Sequence, residues 1–170
     1  MSGLFSSGSS AIISPCERYR YRLEREGPGD GATAVIMVNP STADADRDDA
    51  TIRRLRGFGT RYGWGKIIVG NLFAYRATDV RELARISDPA GLPENDLHLM
   101  RMFREAERVV VAWGPLAKQP KYHRNRYRKV LDLIDDGRPV YSIGTPAKDG
   151  HPCHPLMLSY DRELVPWTRP

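Results

Sequence analysis

Two histidines lie three residues apart in a segment that proline stiffens, His151-Pro152-Cys153-His154-Pro155. Proline fixes its own backbone and restricts the residue before it, so both imidazoles are held on a short, rigid stretch. An imidazole in such a place can act as a general acid or donate a hydrogen bond to a developing negative charge. His151 and His154 are therefore candidate catalytic residues, and the sequence leaves open which of them acts.

A metal site is an alternative for the same segment, with His151, Cys153 and His154 as its ligands. Their spacing fits no zinc template, and no distant pair of ligands is evident in the sequence. A metal-assisted hydrolase therefore stays a lesser alternative, and we expect neither a metal nor an organic cofactor.

Polar residues also follow the apolar run of residues 34–38, where the chain reads Asn39-Pro40-Ser41-Thr42. Amides and hydroxyls between a strand and a helix N-terminus can hold an anion or orient a water molecule. The alternative is a plain turn, in which Ser41 or Thr42 bonds its own backbone. The first interpretation makes Asn39 a candidate catalytic residue and the other three candidate binding residues.

A second asparagine, Asn71, ends the apolar run of residues 67–69. A carboxamide donates and accepts hydrogen bonds at once, which suits the edge of a nucleobase. Phe73 or Tyr75 would then stack on the same base, because an aromatic face accepts any base. For Phe73 the alternative is a place in the hydrophobic core.

Basic residues form two groups, and the chain has a net charge of +5 and a sequence pI near 9.4. Such clusters can contact a phosphate backbone, although solvated helix faces look the same. The candidate backbone contacts are Arg53, Arg54, Lys118, Lys121 and Arg124.

Four short apolar runs predict the strands that position these residues: residues 34–38, 67–69, 109–113 and 139–143. Segments with helical spacing lie between them, which favours an α/β fold of three layers, with a mostly parallel sheet between helices. Ligands of such sheets bind outside the carboxyl ends of the strands. Asn39, Asn71, Trp113 and the histidine segment all follow strands and should therefore share one pocket.

Length and composition predict one soluble domain over residues 15–170, preceded by a flexible Ser/Gly-rich segment at residues 1–14. No apolar run approaches the roughly 20 residues of a membrane helix, and no secretory signal is visible. The two cysteines, Cys16 and Cys153, fit a reducing compartment and a cytoplasmic location. The oligomeric state is left open.

Six segments together resemble an uncharacterised bacterial family of unknown function, from about Cys16 to Trp167. They begin at Met37, Asp49, Asn71, Pro93, Ala112 and Lys148 and read MVNPSTAD, DATIRR, NLFAYRATD, PEND, AWG and KDGHPCHPL. The resemblance identifies a family and implies no activity.

The order of these motifs is also distantly similar to the uracil-DNA glycosylase superfamily, whose fold is a parallel sheet between helices. That similarity implies that Asn39 orients the attacking water, as in the slower members that carry Asn-Pro, and that Asn71 reads the base. It also implies that His151 or His154 stabilises the departing base, and that Leu156 is a hydrophobic wedge. The wedge fills the gap that the flipped base leaves in the duplex. Met37 departs from the superfamily, which has glycine at that place.

The sequence therefore predicts a protein that recognises a nucleobase, with DNA as the expected partner, and that hydrolyses a base–sugar bond. The main alternative is a non-catalytic protein that binds nucleotides or modified nucleic acid in the same pocket. Which base is bound, and whether it belongs to DNA, RNA or a free nucleotide, is left open.

Overall fold

A mixed β-sheet with helices on both faces forms the protein, as a computed structural model describes it for residues 8–170. Within these residues the sheet has seven strands in the order β1-β2-β4-β3-β5-β6-β7. The strands are β1 (Ser10–Ile13), β2 (Arg20–Glu26), β3 (Asp30–Met37), β4 (Trp64–Asn71), β5 (Arg108–Val111), β6 (Val140–Ile143) and β7 (Leu164–Trp167).

Parallel pairing is confined to the four central strands. β3 pairs in parallel with β4 and β5, and β5 pairs in parallel with β6. β1, β2 and β7 pair antiparallel at the two sides of this group. The predicted α/β class is confirmed, whereas the sheet as a whole is mixed, because the predicted parallel pattern describes only its centre.

Part of the amino-terminal segment that was predicted to be flexible is an ordered strand. Residues 1–7 of the predicted segment 1–14 lie outside the described residues, but Ser10–Ile13 form β1 at the sheet edge. Ala11 lies opposite Leu23 of β2 and packs against the core. Pairing with β2 and packing of one face of this edge strand stabilise it. This offsets the conformational entropy lost when a Ser/Gly-rich segment becomes ordered.

Helix α1 (Ala50–Tyr62) covers one face of the sheet. The Asp49 carboxylate caps it by accepting from the Ile52 N–H at 2.9 Å, and Gly63 ends it at a positive φ of 73°. Leu55 and Phe58 bury the apolar side of the helix against Val35 and Met37 of β3. This fixes the amino end of α1 close to the carboxyl ends of the central strands.

Helices α2 (Glu94–Glu105) and α3 (Arg126–Leu131) cover the other face, where Ala34 and Ile36 of β3 point. Strand β3 is therefore apolar on both sides, which explains its continuous hydrophobic run. Two 3-10 helices, Val80–Arg85 and Pro155–Met157, lie in connecting loops. Within residues 8–170, none of the helices combines the length and the apolar character needed to cross a membrane.

Candidate functional site

A cleft of about 820 Å³ lies at the carboxyl ends of the central strands, beside the amino end of α1. Its walls come from the loop after β3, the end of β4, the segment after β5 and the loop after β6. Segments far apart in the sequence thus contribute to one cavity, as expected for the carboxyl edge of parallel strands. The predicted site residues that line it are Asn39, Ser41, Asn71, Trp113, Lys118, His154 and Leu156.

Asn71 presents an unpartnered side-chain amide to this cleft. The residue is 1% exposed, and neither Oδ1 nor Nδ2 has a hydrogen-bond partner among the described residues. Its backbone carbonyl accepts from Nδ2 of Asn95 at 3.1 Å. Leaving buried donors and acceptors unsatisfied costs about 1–3 kcal/mol per group. A ligand with a complementary donor and acceptor would remove that cost.

The side chain of Asn39 is held in a fixed orientation just after the carboxyl end of β3. Its Nδ2 donates to the carbonyl oxygens of Pro40 at 3.0 Å and Ala77 at 2.8 Å, which uses both amide hydrogens. Oδ1 of Asn39 accepts from no group that the structure describes. The side chain therefore offers a single acceptor to the cleft, as needed to orient a water molecule.

His154 reaches the cleft with a defined tautomer. Its Nδ1 accepts from the Leu156 N–H at 3.2 Å, so the proton of the neutral ring is on Nε2. Burial lowers the pKa of the His154 imidazole below its ordinary 6.5, although Asp49 opposes the shift. Gly114, at a φ of 75°, lets the chain at His154 pack closely, since a Cβ there would lie 2.9 Å from Cβ of His154.

His151 does not line the cleft, although the sequence made it an equal candidate. Its Nδ1 accepts from Nε1 of Trp113 at 3.3 Å, and its ring packs edge-on against Tyr127 with centroids 5.0 Å apart. His151 therefore holds Trp113, which is itself part of the cleft wall. Of the two imidazoles, only that of His154 is in a position to meet a ligand there.

The ligands suggested for a metal site face different partners. Nδ1 of His151 and Nδ1 of His154 each accept a hydrogen bond, and Sγ of Cys153 is 3.6 Å from the Thr145 carbonyl oxygen. Over residues 8–170, no three His, Cys, Asp or Glu side chains are grouped to hold a metal ion.

The predicted stacking residues lie elsewhere. Phe73 is 2% exposed and packs on His123 with ring centroids 5.0 Å apart, so it belongs to the core. Tyr75 packs edge-on against Tyr19 at 5.6 Å. Neither ring lines the cleft, because backbone bonds from Phe73 to Val38 and from Tyr75 to Pro89 direct the chain past it. Trp113 is the aromatic residue that the described part of the chain places in the wall.

Two residues of the Asn-Pro segment stay outside the cleft. Pro40 is buried and uses its carbonyl as a hydrogen-bond acceptor, and Thr42 is exposed to solvent. The segment therefore combines a turn with one cleft-lining hydroxyl residue, Ser41.

Most of the basic residues that were predicted to contact a phosphate backbone also lie away from the cleft. On α1, Arg53 donates to the Asp48 carbonyl and Arg54 lies 4.6 Å over the ring of Tyr160. Arg124 is bonded to the carbonyls of Gln119 and Ala117, and Lys121 is exposed. Lys118 alone of the five basic candidates lines the cleft.

Arg20 and Asp49 line the cleft and were missed from the sequence. Asp49 precedes the first residue of α1, and its carboxylate also caps that helix. Arg20 stands in an alternating basic segment that predicts a solvated strand face, yet it is 3% exposed. No pattern in a single sequence separates this arginine from its exposed neighbours.

Acidification should destabilise the protein before its carboxylates are protonated. Burial lowers the pKa of all four histidines, His98, His123, His151 and His154, from their ordinary value of 6.5. Below pH 6.5 the unfolded chain therefore binds more protons than the folded one, so the free energy of unfolding falls with pH down through the lowered values. Urea denaturation at pH 7.5 and pH 5.5 measures this difference. His154→Gln should reduce it, and equal stabilities of the wild type would contradict the expectation.

The fold and its cleft define an α/β protein with a cavity at the carboxyl edge of its parallel strands. A model of the family described as protein of unknown function (DUF1643) matches residues 20–156, and the chain belongs to that family. The predicted membership of a family of unknown function is confirmed. No curated protein and no solved structure matches the chain.

Proposed function

We propose that the protein recognises a nucleobase in this cleft and hydrolyses the bond between that base and its sugar in DNA. The observation that carries the proposal is the amide of Asn71, which is buried, unpartnered and part of the cleft wall. One donor and one acceptor on a fixed plane match the edge of a base that carries a carbonyl beside an N–H.

Two cleft residues supply the chemistry. The Oδ1 atom of Asn39 holds the attacking water, whose oxygen adds to C1′ of the sugar as the bond to the base breaks. The electron pair of that bond leaves with the base, and Nε2–H of His154 donates a hydrogen bond to the resulting anion. The water loses a proton to the solvent, and the departed base anion takes one up from the solvent. The neutral state of His154, which its lowered pKa favours, suits this role, because the ring keeps its proton while it donates.

The surroundings support an extrahelical base. Leu156 lines the cleft, and the next residue, Met157, is 89% exposed at the end of the 3-10 helix Pro155–Met157. Apolar side chains at the rim can fill the gap that an extruded base leaves in a duplex. Trp113 takes over the stacking role first expected of Phe73 or Tyr75. The central parallel strands between α1 and α2 support a fold like that of the uracil-DNA glycosylases.

Abasic-site formation tests the proposal. The purified protein is incubated with labelled duplexes that contain uracil, mismatched bases or damaged bases, and hot alkali then cleaves the strand at any abasic site. We expect cleavage with at least one of these substrates, and none with the corresponding undamaged duplex. The His154→Gln variant is the matched control for a contaminating enzyme. Intact strands across the whole panel would contradict the proposed hydrolysis.

A binding protein without turnover is the second candidate, because two features at the cleft disfavour hydrolysis. An amide rather than a carboxylate stands at Asn39, so no general base acts from there. Met37 lines the cleft where the glycosylases have glycine. Tight binding of a nucleotide or a modified oligonucleotide that survives His154→Gln, without abasic sites, would favour this candidate.

A further inference from the structure

Arg20 is a buried cation that lacks a carboxylate partner. Its Nη1 donates to the Ala43 carbonyl at 2.9 Å, while Nε has no partner among the residues described. Within residues 8–170 its guanidinium forms no ion pair within 4.0 Å. Burial lowers the pKa of Arg20 to about 10, which still leaves it charged at neutral pH. A buried charge without a counter-ion is costly unless a ligand supplies one.

The unused edge of the guanidinium has the geometry of an oxyanion site. With Nη1 engaged, Nε and Nη2 remain as a fork, and neither donates to a described group. Two parallel N–H groups of this kind bind phosphate or carboxylate oxygens in bidentate fashion. Arg20 lines the cleft, so a ligand that fills the cleft lies against this residue.

The amino end of α1 lines the same cleft through Ala50 and Thr51. Backbone N–H groups in the first turn have no acceptor within their own helix, and the helix dipole favours an anion there. The Asp49 carboxylate opposes an anion, but its Oδ1 is engaged as the cap of Ile52. Two kinds of donor, the first turn of α1 and the buried Arg20, thus line the same cavity.

The charged groups nearest Arg20 are of both signs. Arg25 and Arg76 both lower the pKa of Arg20 through their charge, whereas Asp49 and Asp44 raise it. Arg25 is paired with Asp48, but Arg76 bonds only the backbone carbonyls of Ser41 and Glu17 among the described residues. Arg20, Arg25 and Arg76 are thus matched in number by the carboxylates of Asp44, Asp48 and Asp49.

The residues that line the cleft nevertheless carry a net positive charge, which comes from Lys118. Arg81 and Asp79 neutralise each other in an ion pair of 2.7 Å, and Lys118 adds one more positive charge.

We propose that Arg20 and the first turn of α1 bind a phosphate group of the nucleotide whose base meets Asn71. This inference rests on the proposed nucleobase site and names the ligand class more closely: a nucleotide rather than a free base or a nucleoside. The phosphate comes from a free nucleoside monophosphate or from the nucleic-acid backbone next to the extruded base.

Calorimetric titration with 2′-deoxyuridine, its 5′-monophosphate and a single-stranded oligonucleotide containing deoxyuridine tests the phosphate site. The wild type should bind at least one phosphate-bearing probe about tenfold or more tightly than the nucleoside. A preference for the monophosphate identifies a free nucleotide as the source, and a preference for the oligonucleotide identifies the backbone. Equal affinities for all three probes would overturn the inference.

Two variants assign the effect to Arg20. Arg20→Gln should reduce the phosphate gain to less than about twofold, and Arg20→Lys, which keeps the charge without the fork, should retain part of it. Arg81→Gln is the matched control, because Arg81 lines the same cleft but is already bonded by Asp79. It should change the gain by less than about threefold. A full gain in folded Arg20→Gln would refute the assignment.

Inorganic phosphate separates this inference from the proposed function. Line broadening of its ³¹P resonance by the wild type, but not by Arg20→Gln, would support the phosphate site even if no nucleobase binds. Absence of broadening in the wild type, together with normal abasic-site formation, would overturn the phosphate site and leave the proposed function intact.

Discussion

Asn71→Leu should reduce base recognition and abasic-site formation by at least about a hundredfold while leaving the fold as stable as before. Leucine has the same side-chain branching as asparagine but cannot hydrogen bond, so the two bonds to the base edge are lost. The substitution removes no hydrogen bond of the folded protein, because the Asn71 side-chain amide has no partner among the described residues. Removing an unsatisfied buried amide should leave the free energy of unfolding unchanged or raise it by about 1 kcal/mol.

The same exchange at Asn95 is the matched control. Asn95 is fully buried in α2 and its Nδ2 donates to the backbone of Asn71, but it does not line the cleft. Asn95→Leu should therefore lower the free energy of unfolding by about 1–3 kcal/mol, with activity per folded molecule kept within about threefold. Urea denaturation and the abasic-site assay measure both quantities. The opposite pattern, a destabilised Asn71→Leu with full activity, would show that Asn71 has a purely structural role.

His154→Gln should lower the turnover of a base-cleaving reaction by about a hundredfold or more, with the affinity for the substrate changed by less than about threefold. The imidazole is assigned to the departing base, so its loss affects the transition state more than the bound substrate. Single-turnover rates and equilibrium binding to the same duplex separate the two effects.

His151→Gln provides the comparison for His154, since both residues belong to the same proline-rich segment. His151 bonds Trp113 from behind the cleft wall, so its replacement should change turnover by less than about tenfold. A larger loss in His151→Gln than in His154→Gln would reverse the assignment of the two histidines.

The sequence predicted the convergence of the strand ends because that rule depends only on topology. Apolar runs mark the central strands, and parallel strands place their carboxyl ends at one edge. Asn39, Asn71, Trp113 and His154 follow from this rule. The choice between His151 and His154 did not, because it depends on which ring bonds Trp113 across the fold.

The failed predictions concern residues whose contacts come from distant segments. Phe73 and Tyr75 lie close to Asn71 in sequence, but bonds to Val38 and Pro89 take them away from the cleft. Arg20 was missed because its burial depends on Ala43, 23 residues further along the chain. Local spacing carries no information about such contacts.

Because Trp113 forms part of the cleft wall, its fluorescence can report the binding of a ligand. The chain has three tryptophans, and Trp113 alone lines the cleft, while Trp167 lies perpendicular to it at a centroid separation of 5.4 Å. Indole emission responds to a planar heterocycle at van der Waals distance, so unlabelled compounds can be screened by their quenching. A search for the natural ligand can therefore begin with the intrinsic fluorescence of the unmodified protein.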